Sequence, residues 1–124
     1  MTAKVLLLVL LSVGLSAAAQ IVLKLGMGGD TARQALASES LWNGYLGLLS
    51  NPAVIAGLAA YGLSALVWLR VLAELDVSKA YPFVALGIVL TMTAGALVLG
   101  EVVSPLRAIG AALVVSGVVL IGLS

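Results

Sequence analysis

Four apolar stretches divide the sequence, and charged residues fall only between them or at their ends. Val5 to Leu23 carries no charge, Pro52 to Leu69 and Ala80 to Gly100 repeat the pattern, and Leu106 to Leu123 does so with Arg107 just inside its start. As a helix rising about 1.5 Å per residue, the first stretch covers roughly 28 Å, the thickness of a bilayer's hydrocarbon core. No water completes backbone hydrogen bonds there, so a spanning segment is either a helix or part of a closed barrel. Stretches this long and uniformly apolar lack the alternation of barrel strands. The pattern therefore predicts an all-α membrane protein. It forms a single four-helix transmembrane domain over residues 1–124, with helices at about 4–25, 52–70, 78–100 and 105–123 and a polar or interfacial segment over 26–51.

The boundaries follow from local chemistry. Gly26-Met27-Gly28-Gly29-Asp30 should end the first helix, because these residues tolerate left-handed backbone. Between Thr31 and Ser50, Arg33 and Glu39 mix with Leu36, Leu41, Trp42, Tyr45 and Leu46. Such a mixture suits either a short helix lying at the interface or an ordinary loop. Asn51-Pro52 and Ser104-Pro105 each read as an N-cap with proline at the first helical position, and Ser78 is a candidate start for the third helix. The connections after helices two and three are short, so those neighbours should be antiparallel hairpins. Met1 to Gln20 also fits a secretory signal, with Lys4 as its basic region and Ala17-Ala18-Ala19 as a cleavage site. Against that reading, apolar character continues through Ile21-Val22-Leu23 to make a full span.

Charge adds little direction. Lys4, Arg70 and Lys79 fall on one side, and Arg33, Arg107 and Lys24 on the other, so the positive-inside rule has hardly any bias to act on. That balance permits either dual insertion with an antiparallel pair or an orientation set by a partner subunit; both termini are expected in the cytoplasm. With 63% hydrophobic and 9% charged residues, against about a quarter charged in soluble domains, a soluble core is excluded. A net charge of +1 offers no basic face for nucleic acid, and the absence of His and Cys removes the usual zinc and haem ligands. There is no phosphate-binding G-x-x-x-x-G-K-[ST] loop and no nucleophile–base pair. The chain is thus expected to be neither an ATP-driven motor nor an enzyme, and to need no cofactor. Four short helices enclose little space, so a transport path should involve a dimer.

Ser12, Ser16, Gln20 and Lys24 recur every four residues and stack into one stripe on an otherwise aliphatic helix. Polar groups in hydrocarbon tend to face a bundle interior or a wet cavity, so the stripe reads as a lining that deepens from Lys24 towards mid-membrane. Ser and Gln can instead join helices, and a terminal Lys can snorkel. An ammonium at the mouth of a polar groove suits a phosphate. All five acids (Asp30, Glu39, Glu74, Asp76 and Glu101) sit at or beyond helix ends, which removes the mid-span carboxylate that proton-coupled cation export needs. Pro82 lies early enough in helix three to set a bend that lets Tyr81 reach the cavity, although Tyr81 also suits an interfacial anchor. Thr91 and Thr93 face differently, so at most one lines a path. Gly110, Leu113, Gly117 and Val118 form a small, apolar face of the kind that lets helices dimerise.

Three segments carry a resemblance. They are Ser16-x-x-x-Gln20-x-x-x-Lys24, then Val77-Ser78-Lys79-Ala80-Tyr81-Pro82, and finally Leu99-Gly100-Glu101-Val102-Val103-Ser104 followed by Gly110-x-x-Leu113-Val114-x-x-Gly117-Val118. Together they make the chain similar to the small multidrug resistance-type, EamA-like proteins of the drug/metabolite transporter superfamily, and within it most similar to the aminoarabinose-phosphoundecaprenol flippase subunits. Drug-exporting members carry a glutamate in helix one where this chain has Ser16, so their antiport chemistry is not implied. The resemblance implies a transporter in the bacterial inner membrane that moves a polyprenyl-phosphate-linked sugar. It would act as a homodimer or as a heterodimer with a similar four-helix subunit. Lys24 would hold the phosphate, Gln20, Ser16, Ser12 and Tyr81 would contact phosphate or sugar, and Arg70, Lys79 and Arg107 would draw anionic headgroups to either mouth. Proton-linked export using Glu101, and a non-transporting subunit of a larger complex, are the alternatives.

Overall fold

The computed structural model describes residues 2–124; Met1, where the signal-like reading starts, lies outside the described residues. The elements are α1 (Ala3–Met27), α2 (Asp30–Leu36), α3 (Leu41–Leu49), α4 (Pro52–Glu74), α5 (Val77–Ala80), a 3₁₀ turn (Tyr81–Phe83), α6 (Val84–Val98) and α7 (Pro105–Leu123). Ala3–Met27, Pro52–Glu74, Val77–Val98 and Pro105–Leu123 are long and apolar enough to cross a membrane. The caps at the proline-led helices are as read: Asn51 Oδ1 accepts from Ala53 N at 3.0 Å and Ser104 Oγ accepts from Arg107 N at 3.2 Å.

Three local readings change. The segment over 26–51 folds into two short helices, α2 and α3, packed on one another. The third span starts from Asp76 rather than Ser78, and Pro82 interrupts it as a tight turn between α5 and α6, since proline cannot donate the backbone bond that would make the helix continuous. The glycines after α1 do not turn left-handed: Gly28 has φ −81°, and Gly100 alone among the described residues has a positive φ, 68°.

Gly26 serves packing instead. A Cβ on it would lie 3.0 Å from Val54 Cγ2 and 3.1 Å from Val54 N, so the end of α1 meets the start of α4 almost backbone to backbone. Asn51 Nδ2 donates to Gly26 O at 3.2 Å across the same junction. α4 therefore returns antiparallel along α1. At mid-membrane Ser12 Oγ donates to Ser64 O at 2.8 Å in a buried site, which makes Ser12 an interhelical tie. Ser12→Ala should lower stability by about 0.6 kcal/mol, the mean for such bonds in membranes. Thermal unfolding in detergent followed by circular dichroism would show the loss.

The apolar core gathers near one end of the bundle, where Val5, Val9 and Val13 of α1 meet Val71 of α4, Ala80, Phe83 and Val118 of α7. α6 leaves this cluster running parallel to α1, and α7 comes back against α6, with Gly122 beside the Phe83 ring. α1 packs extensively on both α4 and α6, whereas α4 and α6 touch each other at most slightly. α1 is thus the floor of a groove whose walls are α4 and α6.

Candidate functional site

The groove runs along α1 from Ser12 to the end of the helix as a series of adjoining clefts. The first, about 240 Å³, lies among Ser12, Ser16, Tyr61, Ser64, Trp68 and Tyr81. The second, about 410 Å³, is bordered by Ser16, Gln20, Tyr61, Gly87, Thr91 and Glu101. A third of about 250 Å³ brings together Gln20, Lys24, Thr91, Gly95 and Glu101. The last, about 530 Å³, opens past Lys24 and Glu101 to Gly28 and Gly29. Shared residues link each cleft to the next.

The four-residue period of the α1 stripe explains the arrangement, because side chains four apart stand on one face. Ser16 Oγ donates to Val13 O at 2.9 Å, which leaves its lone pairs for a ligand. Gly87 lies against the floor: a Cβ there would sit 3.4 Å from Val13 Cγ1 and 3.9 Å from Ser16 Oγ, in ordinary contact, so the missing side chain leaves room in the second cleft. Gln20 and Lys24 are exposed to the groove. Tyr81 is 65% exposed at the opposite end. Of the two threonines, Thr91 borders the groove, while exposed Thr93 turns away and donates from Oγ1 to Val89 O at 2.9 Å.

The outlying cations divide between the ends of the bundle. Arg70 near the end of α4 and Lys79 on α5 belong to the same end as Tyr81. Arg107 stands at the start of α7, on the side of Lys24, and its Nη1 donates to Val102 O at 3.3 Å. On α7, Leu113 is 68% exposed and nothing lies within 4 Å of a Cβ on Gly110 or Gly117. Val118 is the correction: it is buried in the core of this chain at 5% exposure. It faces inward about a quarter-turn from the outer face, at 100° per residue, and is not available to a dimer contact.

Two residues join the substrate-contacting set read from the sequence. Tyr61, a lone aromatic in the middle of α4, borders the first two clefts; its distance from either end of the span is the signal that sets it apart from interfacial aromatics. Glu101 lies beyond the end of α6 as expected, but its side chain folds back into the groove. The Glu101 N–H donates to Gly95 O at 3.2 Å, and Oε2 is 2.8 Å from where a Cβ on Gly95 would be.

Known proteins resemble the chain in sequence. Over 82 residues, 66% of this chain and 71% of the relative, the sequence is 39% identical to a probable 4-amino-4-deoxy-L-arabinose-phosphoundecaprenol flippase subunit ArnE of Pseudomonas aeruginosa. A Pseudomonas fluorescens protein of the same description matches at 33% over 116 residues, 94% of this chain and 95% of its own. A probable ArnF subunit of the same flippase from Erwinia tasmaniensis is 41% identical over 75 residues, 59% of each chain. No protein-family model matches the chain, and no solved structure does. The chain belongs to this family of small multi-pass membrane proteins, the aminoarabinose-phosphoundecaprenol flippase subunits.

Proposed function

We propose that this chain is a subunit of a flippase in a bacterial inner membrane, moving a polyprenyl-phosphate-linked amino sugar between leaflets. The observation that carries the reading is a groove between α4 and α6 whose floor carries the polar stripe Ser16, Gln20 and Lys24. A headgroup can travel in such a groove while its lipid tail remains among the acyl chains, sparing the polar group contact with hydrocarbon. Lys24 holds the phosphate as a point charge. Ser16, Gln20 and Tyr81 meet phosphate or sugar, and Arg70, Lys79 and Arg107 gather anionic headgroups at the two mouths. No bond is made or broken, so the protein is a carrier and not an enzyme. Removal of the lipid on the far side supplies direction.

The exposed apolar surfaces of α6 and α7 suit a second, similar four-helix subunit, as the two kinds of subunit named among the relatives suggest. The test is transbilayer movement of a fluorescent short-chain aminoarabinose-phosphate polyprenol in vesicles holding the chain alone or with such a subunit. Movement well above that in protein-free vesicles is expected in at least one of the two. Movement in neither, or full movement with the partner alone, would reduce this chain to a non-transporting role.

Glu101 in the groove favours a second reading, proton-linked export of a cation. Release of protons from the purified protein on adding organic cations would support that mechanism over the flippase.

A further inference from the structure

We infer that Glu101 recognises the free ammonium of the cargo's sugar, so that Lys24 and Glu101 clamp a zwitterionic headgroup between them. The inference rests on the flippase reading and adds to it the residue that decides which headgroup is accepted.

Both side chains border the same two clefts at one end of the groove, Lys24 from α1 and Glu101 from the connection between α6 and α7. That connection is fastened. Gly100 adopts φ 68°, a conformation that glycine reaches without strain, and so turns the chain back. The Glu101 N–H is tied to Gly95 O, and the Arg107 guanidinium holds Val102 O from the other side. The carboxylate itself occupies space that exists because residue 95 has no side chain. Glu101 is exposed, and the turn at Gly100 and the space over Gly95 set where its carboxylate stands.

Arg107 spends a donor on the backbone of the connection, and among the described residues no hydrogen bond joins Lys24 to Glu101. A cleft bordered by one cation and one anion, with polar Gln20 and Thr91 beside them, is complementary to a ligand carrying both signs. A plain phosphate would meet Lys24 favourably and Glu101 unfavourably. A 4-amino pentose linked to phosphate through its anomeric carbon has its ammonium and its phosphate on opposite sides of the ring, so each charge finds its counterpart. Acylation of the amine removes its positive charge and adds bulk, leaving the carboxylate without a partner.

The experiment measures binding to the purified full chain in nanodiscs, with its partner subunit if the two co-purify. The probes are a short-chain polyprenyl phosphate bearing 4-amino-4-deoxyarabinose and the same lipid with the amine N-acetylated. The wild-type protein should prefer the free amine by about tenfold, as expected when one charge-assisted hydrogen bond is lost. Glu101→Gln should erase that preference while binding the acetylated lipid at least as tightly as the wild type does, which also shows that the variant is folded. Gly95→Ala, which crowds the carboxylate out of its recess, should weaken the preference in the same direction. Retention of the preference by Glu101→Gln, or equal loss of both lipids, overturns the assignment. Equal binding of both lipids by the wild type overturns it and leaves the flippase reading standing. Binding of neither removes both.

Discussion

Lys24→Ala is expected to lower the rate of lipid translocation by a factor of about 10 to 100, the equivalent of one charge-assisted hydrogen bond to phosphate worth roughly 1.5–3 kcal/mol. The residue stands where the third and fourth clefts join, so a headgroup moving along α1 must pass it. Lys24→Arg should retain a larger share of the rate than Lys24→Gln, because charge is kept although the planar guanidinium presents it differently. Snorkelling makes the opposite forecast. A lysine that merely reaches for the membrane surface along its aliphatic stem could be replaced by Gln with no loss of flux, provided the protein remains in the bilayer. Vesicle assays normalised to reconstituted protein separate the two. Undiminished flux in both Lys24→Ala and Lys24→Gln would end the phosphate assignment and, with it, the mechanism built on the stripe.

The spans were legible because hydrocarbon leaves the backbone no alternative to helix, and because Asn51-Pro52 and Ser104-Pro105 mark helix starts by local chemistry alone. The α1 side of the groove was legible for a related reason: a polar residue every fourth position on an aliphatic helix has one face to occupy. The other wall was not. Tyr61, Gly87, Thr91 and Glu101 come from α4, α6 and the connection after α6, and no periodicity within one segment can state which residues of another will stand opposite. Glu101 is the clearest instance. Its position beyond a helix end was read from the sequence, but its direction depends on Gly95 and Gly100, whose effect is three-dimensional. Ser12 shows that the two uses of a polar residue need not exclude one another, since it ties α1 to α4 through Ser64 O and still borders the first cleft.

Gly57→Val is expected to be strongly destabilising although Gly57 touches no proposed ligand. A Cβ at residue 57 would fall 2.6 Å from Leu23 Cγ, 2.7 Å from its Cδ2 and 3.1 Å from its backbone N. Rotating the leucine relieves the first two encounters, but the third moves only if α1 itself shifts. Overpacking of this kind costs about 1–3 kcal/mol, and close approach of backbones through small residues is a main source of helix adhesion in a bilayer, where apolar burial gives no net drive. Gly57→Ala should act in the same direction with smaller effect, whereas Gly14→Ala and Gly62→Ala, where an added Cβ meets nothing within 4 Å, should be close to neutral. Thermal unfolding in detergent would rank the four. The consequence for function follows from the neighbour: Leu23 precedes Lys24, so a displaced α1 carries the ammonium away from Glu101, and Gly57→Val should lose translocation even in the fraction that folds. Full stability in Gly57→Val would mean that α1 and α4 are not held at the spacing on which the whole groove depends.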